Sequence, residues 1–374
     1  MTSHQSSDVI VVGGGVIGCS IAYHLAREGA TVAVLDRGEI GGEASGAAAG
    51  MLAPLAEMES AGPLQDLGLT SLRLFPELAA TLQWEAGVDI EYLASGTLRV
   101  ALNEDEEAHL RGLAADAGAG LELHWLGPEE LRDLEPGLRP GVRGALYSPE
   151  EHQVNADRLV QAFARAASAF GALLLPHRLA TGLLTRGGRV EGVRTPDGDL
   201  RGGHVVLAAG PWTAKLAASA GGSVPVFPVR GQMIALPSRS ALRHIVWGSA
   251  GYLVPKANGL VFAGATVERV GFRKNTTMAG LAGLKSMASS LVPRLATIPA
   301  VDGWAGLRPG SPDGLPILGP APGWEQLSIA AGHYRNGILL SPITGRLLAR
   351  SILDGSWNEM LDPFSAARFA AVAS

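Results

Sequence analysis

The feature that most limits what this chain can fold into is a glycine turn set between two apolar runs. Asp8 to Val12 (DVIVV) continues without a polar interruption after Asp8, as expected of a strand covered on both faces. Gly13-x-Gly15-x-x-Gly18 follows at once, then a helical stretch from Val16 to about Glu28 that Gly29 closes. A second run, TVAVLD, ends at Asp36, 18 residues beyond Gly18. Strand, turn, helix and strand with tight connections form a βαβ unit. Each glycine has a physical task. Gly13 permits the tight turn, Gly15 removes the Cβ that would obstruct a pyrophosphate, and Gly18 lets helix and strand pack closely. The helix start at Val16 and Ile17 offers unpaired N–H groups and a positive dipole end to phosphates. Asp36 can accept hydrogen bonds from ribose hydroxyls, and its acidity argues against a 2′-phosphate. The pattern predicts a dinucleotide site and leaves FAD and NAD both open.

Composition narrows the setting. Fifty glycines among 374 residues are nearly double the usual share of roughly 7%. Hydrophobic residues make up 47%, so the chain can bury a large core and is not disordered. Thirty basic and 35 acidic residues give a net charge of −5 without any basic block, so no nucleic-acid partner is expected. The single cysteine, Cys19, allows no internal disulfide and no zinc-type spacing, which points to a reducing, cytoplasmic setting and to no metal. Val9 to Leu25 is apolar enough to resemble a signal peptide or short span. The polar start MTSHQSS, free of Lys and Arg, and three consecutive glycines instead favour strand, turn and helix, so no membrane association is expected.

Further along, Gly41 to Gly50 is a loop of small residues, and a helical region is expected over roughly Ala61 to Glu85. From about Val88 to Pro149, strand-like pieces such as Gly96 to Leu102 surround an acidic helix, Glu104 to Ala115, and suggest part of a second domain. Helix returns over Asn155 to Phe170, and His204 to Gly210 reads as another buried strand. Residues 226–305 look like sheet with one helix. In the C-terminal part, Ser341 is expected as N-cap with Pro342 at the first helical position.

Six segments, in order, resemble the D-amino-acid oxidase family of flavoproteins. They are DVIVVGGGVIG, ASGAAAGMLAP (Ala44 to Pro54), HVVLAAGPWT (His204 to Thr213), GYLVPK (Gly251 to Lys256), WAGLRPGSPDGLPILG (Trp304 to Gly319) and GHYRNGILLSPITG (Gly332 to Gly345). The resemblance covers essentially the whole chain and is strongest to the branch that oxidises glycine. It implies non-covalent FAD and a mixed α/β fold: a Rossmann-like FAD-binding domain (1–87, 150–225, 306–374) with an inserted antiparallel-sheet substrate domain (88–149, 226–305). It implies cofactor contacts from Gly13, Gly15, Val16, Ile17, Gly18, Asp36, Arg37, Ala44, Ser45, Ala49, Gly50, Met51, Ala180, Gly210 and Trp212. His333, Tyr334, Arg335, Asn336, Gly337, Ile338 and Leu339 would pass the pyrimidine side of the flavin. Arg308 would hold the substrate carboxylate, for which guanidinium geometry is suited. Tyr252 would add a hydrogen bond to the same carboxylate, with Arg335 close to flavin and substrate.

The implied reaction is oxidative deamination of glycine, other small amines or D-amino acids. Hydride leaves Cα for flavin N5, O2 becomes H2O2, and no protein base is required. A homotetramer and a place in thiamine biosynthesis, supplying iminoacetate for thiazole synthesis, are implied as well. A sarcosine oxidase, a D-amino-acid dehydrogenase, a tRNA-modifying flavoprotein domain and a non-catalytic flavin binder remain as alternatives. Monomeric sarcosine oxidases attach flavin through a cysteine in the C-terminal half, where this chain has none. Ala250 stands where some relatives carry histidine, and Val267 where a methionine can approach substrate, which leaves the pocket's size open.

Overall fold

A computed structural model of the protein describes residues 7–57, 61–115, 120, 122–238 and 241–372. Ser7–Val12 is the central strand of the first sheet. It pairs in parallel with Val32–Leu35 on one side and Leu200–Leu207 on the other. Leu173–Leu175 and Leu327–Ala331 extend the parallel set, and Ile317–Pro320 adds an antiparallel edge. A hairpin, Gly182–Arg186 with Arg189–Arg194, joins Leu200–Leu207. Residues 9 to 12 are all buried because alternate side chains enter different cores. Val9 and Val11 face the helices Val16–Arg27, Ala156–Ala169 and Gly337–Asp354. Ile10 and Val12 pack into the core on the hairpin side. This double covering is what a period-free apolar strand requires.

The second sheet runs in the order Asp302–Gly310, Phe227–Pro237, Leu260–Gly264, Gly251–Pro255, Ile245–Gly248, Thr97–Ala101, Gly144–Ser148, His124–Leu126. It therefore unites strands from two distant stretches of sequence. Its pairs are antiparallel except that Ile245–Gly248 lies parallel to Thr97–Ala101. Helix Met278–Leu291 packs into the core on one face of this sheet. Strand Asp302–Gly310 runs through the expected boundary at 305/306 without a break.

Other local expectations differ by small amounts. The region 61–85 is two helices, Pro63–Leu72 and Phe75–Ala86. The acidic helix spans Glu104–Ala115 as expected, and Asn155 caps Ala156–Ala169 by accepting from Arg158 N–H. Ser341 is not an N-cap. The helix starts at Gly337, after Asn336, and carries Pro342 in its interior. Pro342 has no N–H for the Ile338 carbonyl, and the Ser341 hydroxyl donates to that carbonyl instead, at 2.9 Å. Among the described residues, no helix is long and apolar enough to cross a membrane.

Candidate active site

A cavity of about 470 Å³ lies between the sheets, within the roughly 300–1,000 Å³ usual for small-molecule sites. Val12, Leu35, Ala208 and Ala331 line it from the carboxyl ends of parallel strands, where open α/β sheets bind ligands.

One end is built from main chain. Gly13 has φ +115°, and a Cβ there would lie 2.3 Å from the Ala208 carbonyl oxygen. A Cβ on Gly18 would lie 1.9 Å from the Gly13 oxygen, so the turn and the helix can meet only if residue 18 is glycine. Helix Val16–Arg27 begins at Gly15, which supplies no side-chain cap, while Val16 N–H donates to Ser45 Oγ at 3.0 Å. The Asp36 carboxylate accepts from Gly14 N–H (2.8 Å) and Gly38 N–H (2.9 Å), which orients it beside the turn. Arg37 stacks on the Trp212 ring at 3.7 Å and pairs with Glu43.

Two segments form the middle walls. The loop 44–51 is tied from three sides. Trp304 Nε1 donates to Ala47 O (3.0 Å), and Val154 N–H donates to Gly50 O (2.8 Å). Lys256 Nζ donates to Ala49 O (3.1 Å), Val154 O (2.8 Å) and Gln153 Oε1 (3.1 Å). Burial pushes the Lys256 ammonium down to about 8. Opposite lies the turn 333–336 and the first turn of helix Gly337–Asp354. His333 is buried next to Thr344 Oγ1 (3.2 Å), and burial holds its imidazole neutral, down to about 3. The first helical bond is Leu340 N–H to Asn336 O, so Gly337, Ile338 and Leu339 offer their N–H groups ahead of it. Asn336 Oδ1 is buried with no hydrogen-bond partner among the described residues, acceptor capacity that a ligand donor can use.

The other end is built from side chains on the second sheet. Cross-strand register places Tyr252, Gly264, Met233 and Trp304 in one row, and Gly231 beside Gly306 in the next. Arg308 lies over Gly231, where a Cβ would come within 2.3 Å of its guanidinium. Arg308 Nη1 donates to Thr266 O at 3.0 Å. The Tyr252 ring covers Gly264, and burial raises its phenol. Its hydroxyl lies 4.0 Å from Met233 Sδ. Arg335 Nε pairs with Glu57 Oε2 at 2.7 Å, and its guanidinium lies 5.2 Å from the Trp247 ring centroid. Burial pushes the Glu57 carboxyl up, while Arg335 and Arg308 pull it back. Below Arg308, Glu268 accepts from Arg230, from Thr266 Oγ1 (2.6 Å) and from Gln232 Nε2 (2.6 Å). Those donors hold Glu268 down at about 2 against the opposing effect of burial.

Every candidate residue named from the sequence lines this cavity except Gly18, which acts one layer behind through Gly13. Sequence reasoning missed Glu57, Gly231, Met233 and the tether Lys256. Val267 is 60% exposed and Ala250 is exposed, and neither lines the cavity. Among the described residues, no group of three or more His, Cys, Asp or Glu is placed to hold a metal.

A Cβ-free turn, an open helix start and an oriented carboxylate fit a dinucleotide. With the charged chamber at the far end, they define a dinucleotide-dependent oxidoreductase. Residues 8–351 match the model of the DAO family, FAD dependent oxidoreductase, and the chain belongs to that family. It is 37% identical over 366 residues to the glycine oxidase of Geobacillus kaustophilus, covering 96% of this chain and 97% of that one. It is 36% identical over 370 residues to the bifunctional protein ThiO/ThiG of a Nostoc species, covering 97% of this chain and 55% of that longer one. The crystal structure of glycine oxidase from Geobacillus kaustophilus superposes with a TM-score of 0.93 at 36% identity, over 97% of this chain and 99% of that one. The protein is an FAD-dependent enzyme.

Proposed function

We propose that this enzyme is a glycine oxidase, acting on glycine and other small amino acids with O2 as electron acceptor. The observation that carries the reading is the Arg308 guanidinium. It is laid on a glycine floor beside the buried Tyr252 hydroxyl, in a cavity whose other end is the dinucleotide cradle. Arg308 takes the substrate carboxylate as a bidentate, charge-assisted pair, and Tyr252 donates a further hydrogen bond. The turn 13–18, Asp36, the loop 44–51 and residues 333–339 hold FAD. FAD held there would supply the hydride acceptor for substrate Cα and the route for the two electrons to O2, which would leave as H2O2.

The chain's own contribution is orientation and electrostatics. Arg308 and Tyr252 fix Cα by holding the carboxylate next to it. The N–H groups of Gly337 to Leu339 and the positive end of their helix stabilise negative charge that develops beside them. The substrate amine gives up its proton before oxidation, and the imine product hydrolyses to glyoxylate and ammonia, so no side chain has to act as a base. We read residues 1–87, 150–225 and 306–374 as the FAD-binding domain and 88–149 and 226–305 as the substrate domain. The strand Asp302–Gly310 passes between them. A cytoplasmic homotetramer that supplies iminoacetate for thiazole synthesis in thiamine biosynthesis accords with the family resemblance.

A sarcosine oxidase with cysteine-linked flavin is disfavoured, because Cys19 is buried in the first helix and its thiol is pushed up to about 12 by burial. The test is anaerobic mixing of the purified holoenzyme with glycine, sarcosine and D-alanine, followed by O2. Glycine is expected to bleach the oxidised flavin, and O2 to restore it with one peroxide per glyoxylate. Bleaching without peroxide would make the enzyme a dehydrogenase, and no bleaching by any of the three would overturn the reading.

A further inference from the structure

The substrate end of the cavity holds more charge than one small amino acid needs. Arg308, Arg335 and Glu57 all line it. The Glu57 side chain is only 7% exposed and pairs directly with Arg335 at 2.7 Å, whereas Arg308 acts on it as the weaker of the two cations and is hydrogen-bonded to a neutral backbone carbonyl. In such surroundings opposite charges attract strongly, and an unpaired ion is costly. Glu57 is also held in place. It ends the short helix Pro54–Glu57, whose Leu55 and Ala56 N–H groups donate to the buried Glu151 carboxylate at 2.6 and 3.1 Å.

We infer that Glu57 sets the charge class of the substrate: by neutralising Arg335 it leaves Arg308 as the working cation, so the site accepts amines with one carboxylate and rejects those with two. This rests on the reading of Arg308 as the carboxylate's partner. A second substrate carboxylate near Arg335 would lie beside Glu57, and like charges in a desolvated pocket discriminate strongly. Glu57→Gln keeps the side chain's shape and frees the charge of Arg335. The variant then has two cations for two carboxylates. Iminodiacetate becomes a substrate of the same chemistry: with O2 and H2O it yields glycine, glyoxylate and H2O2.

The first test is binding, read as the perturbation of the oxidised flavin spectrum when holoenzyme is titrated with acetate or malonate. The wild-type enzyme is expected to prefer acetate. Glu57→Gln is expected to gain about tenfold or more for malonate relative to acetate, and to turn over iminodiacetate with a raised kcat/KM. The double variant Glu57→Gln/Arg335→Gln is expected to lose that gain. An unchanged malonate-to-acetate ratio in a flavin-loaded Glu57→Gln enzyme, or a gain that survives loss of Arg335, would overturn the inference. Should Glu57→Gln not hold flavin, Arg335→Met is the second arm. It leaves Glu57 uncompensated and is expected to weaken acetate binding about tenfold, and unchanged binding would count against the inference. Failure of the underlying reading shows separately, as an Arg308→Ala enzyme that binds acetate like the wild type.

Discussion

At the end of the cavity near Asp36, the lining is the backbone of the glycine turn and helix start, with the Asp36 carboxylate held beside it by Gly14 N–H. At the other end the lining is side chains: Arg308 and Tyr252, laid on a floor cleared by Gly231 and Gly264, with Arg335 and Glu57 beside them. Glycine serves both ends in different ways. In the first it is the binding surface, and in the second it is the space in which a charged or aromatic side chain lies flat. The two ends should therefore fail differently. A Cβ in the turn displaces backbone and removes the site, while a change at the far end leaves the fold and alters which molecule is held.

The largest expected effect comes from Gly18→Val. Its Cβ would meet the Gly13 carbonyl oxygen at 1.9 Å, and neither the Cβ nor that backbone oxygen can rotate away. The variant is expected to purify without flavin, read as the ratio of visible to protein absorbance. Arg308→Ala is the matched change at the other end. It is expected to keep flavin while KM for glycine rises about 100-fold, as for loss of one partner of a buried charge pair. If Arg308→Ala loses flavin as completely as Gly18→Val, the two ends are not separable and the comparison fails.

The same contrast explains what could be read from sequence. The dinucleotide end is local: strand, turn, helix start and Asp36 fall within residues 8–36, and spacing alone conveys their arrangement, whereas Ser45 is reached only through the resemblance. Arg308 and Tyr252 have no local signature and were reached through the resemblance of whole segments. Glu57 sits at the end of a four-residue helix, and only the fold brings it to Arg335. Gly231 stands in an ordinary strand run, VRGQM, and acquires its role through register with Gly306 and the reach of Arg308. The sequence puts the start of the last helix at Pro342 because proline is favoured at a first helical position. Here the Ser341 hydroxyl serves the carbonyl that Pro342 cannot, and the helix begins five residues earlier, at the cavity wall.

A smaller change tests the floor itself. In Gly231→Ala, the added methyl would lie 2.3 Å from the Arg308 guanidinium, so the flexible end of that side chain must move off the sheet. KM for glycine is expected to rise about tenfold, one decade for about 1.4 kcal/mol of lost interaction, with flavin content unchanged. An unaltered KM would mean that the position of Arg308 over Gly231 does not matter to substrate.

The smallest effect concerns the tether between the ends. Lys256 follows the second-sheet strand Gly251–Pro255 and donates to Ala49 O and Val154 O, behind the loop on the cofactor side. Its folded-state value, about 8, lies below the ordinary 10.5 because of burial. Between those values the unfolded chain binds the proton and the folded chain does not. The contribution of this group to stability therefore rises with pH across that window and is flat below it, with a slope of at most about 1.4 kcal/mol per pH unit. Lys256→Met removes the titration. Thermal unfolding midpoints of wild type and variant, compared at pH 7 and pH 9.5, are expected to diverge, with the wild type gaining relative to the variant at the higher pH. Parallel midpoints would show that Lys256 keeps its proton well above 8, and that the tether joins the two ends as a permanent charge.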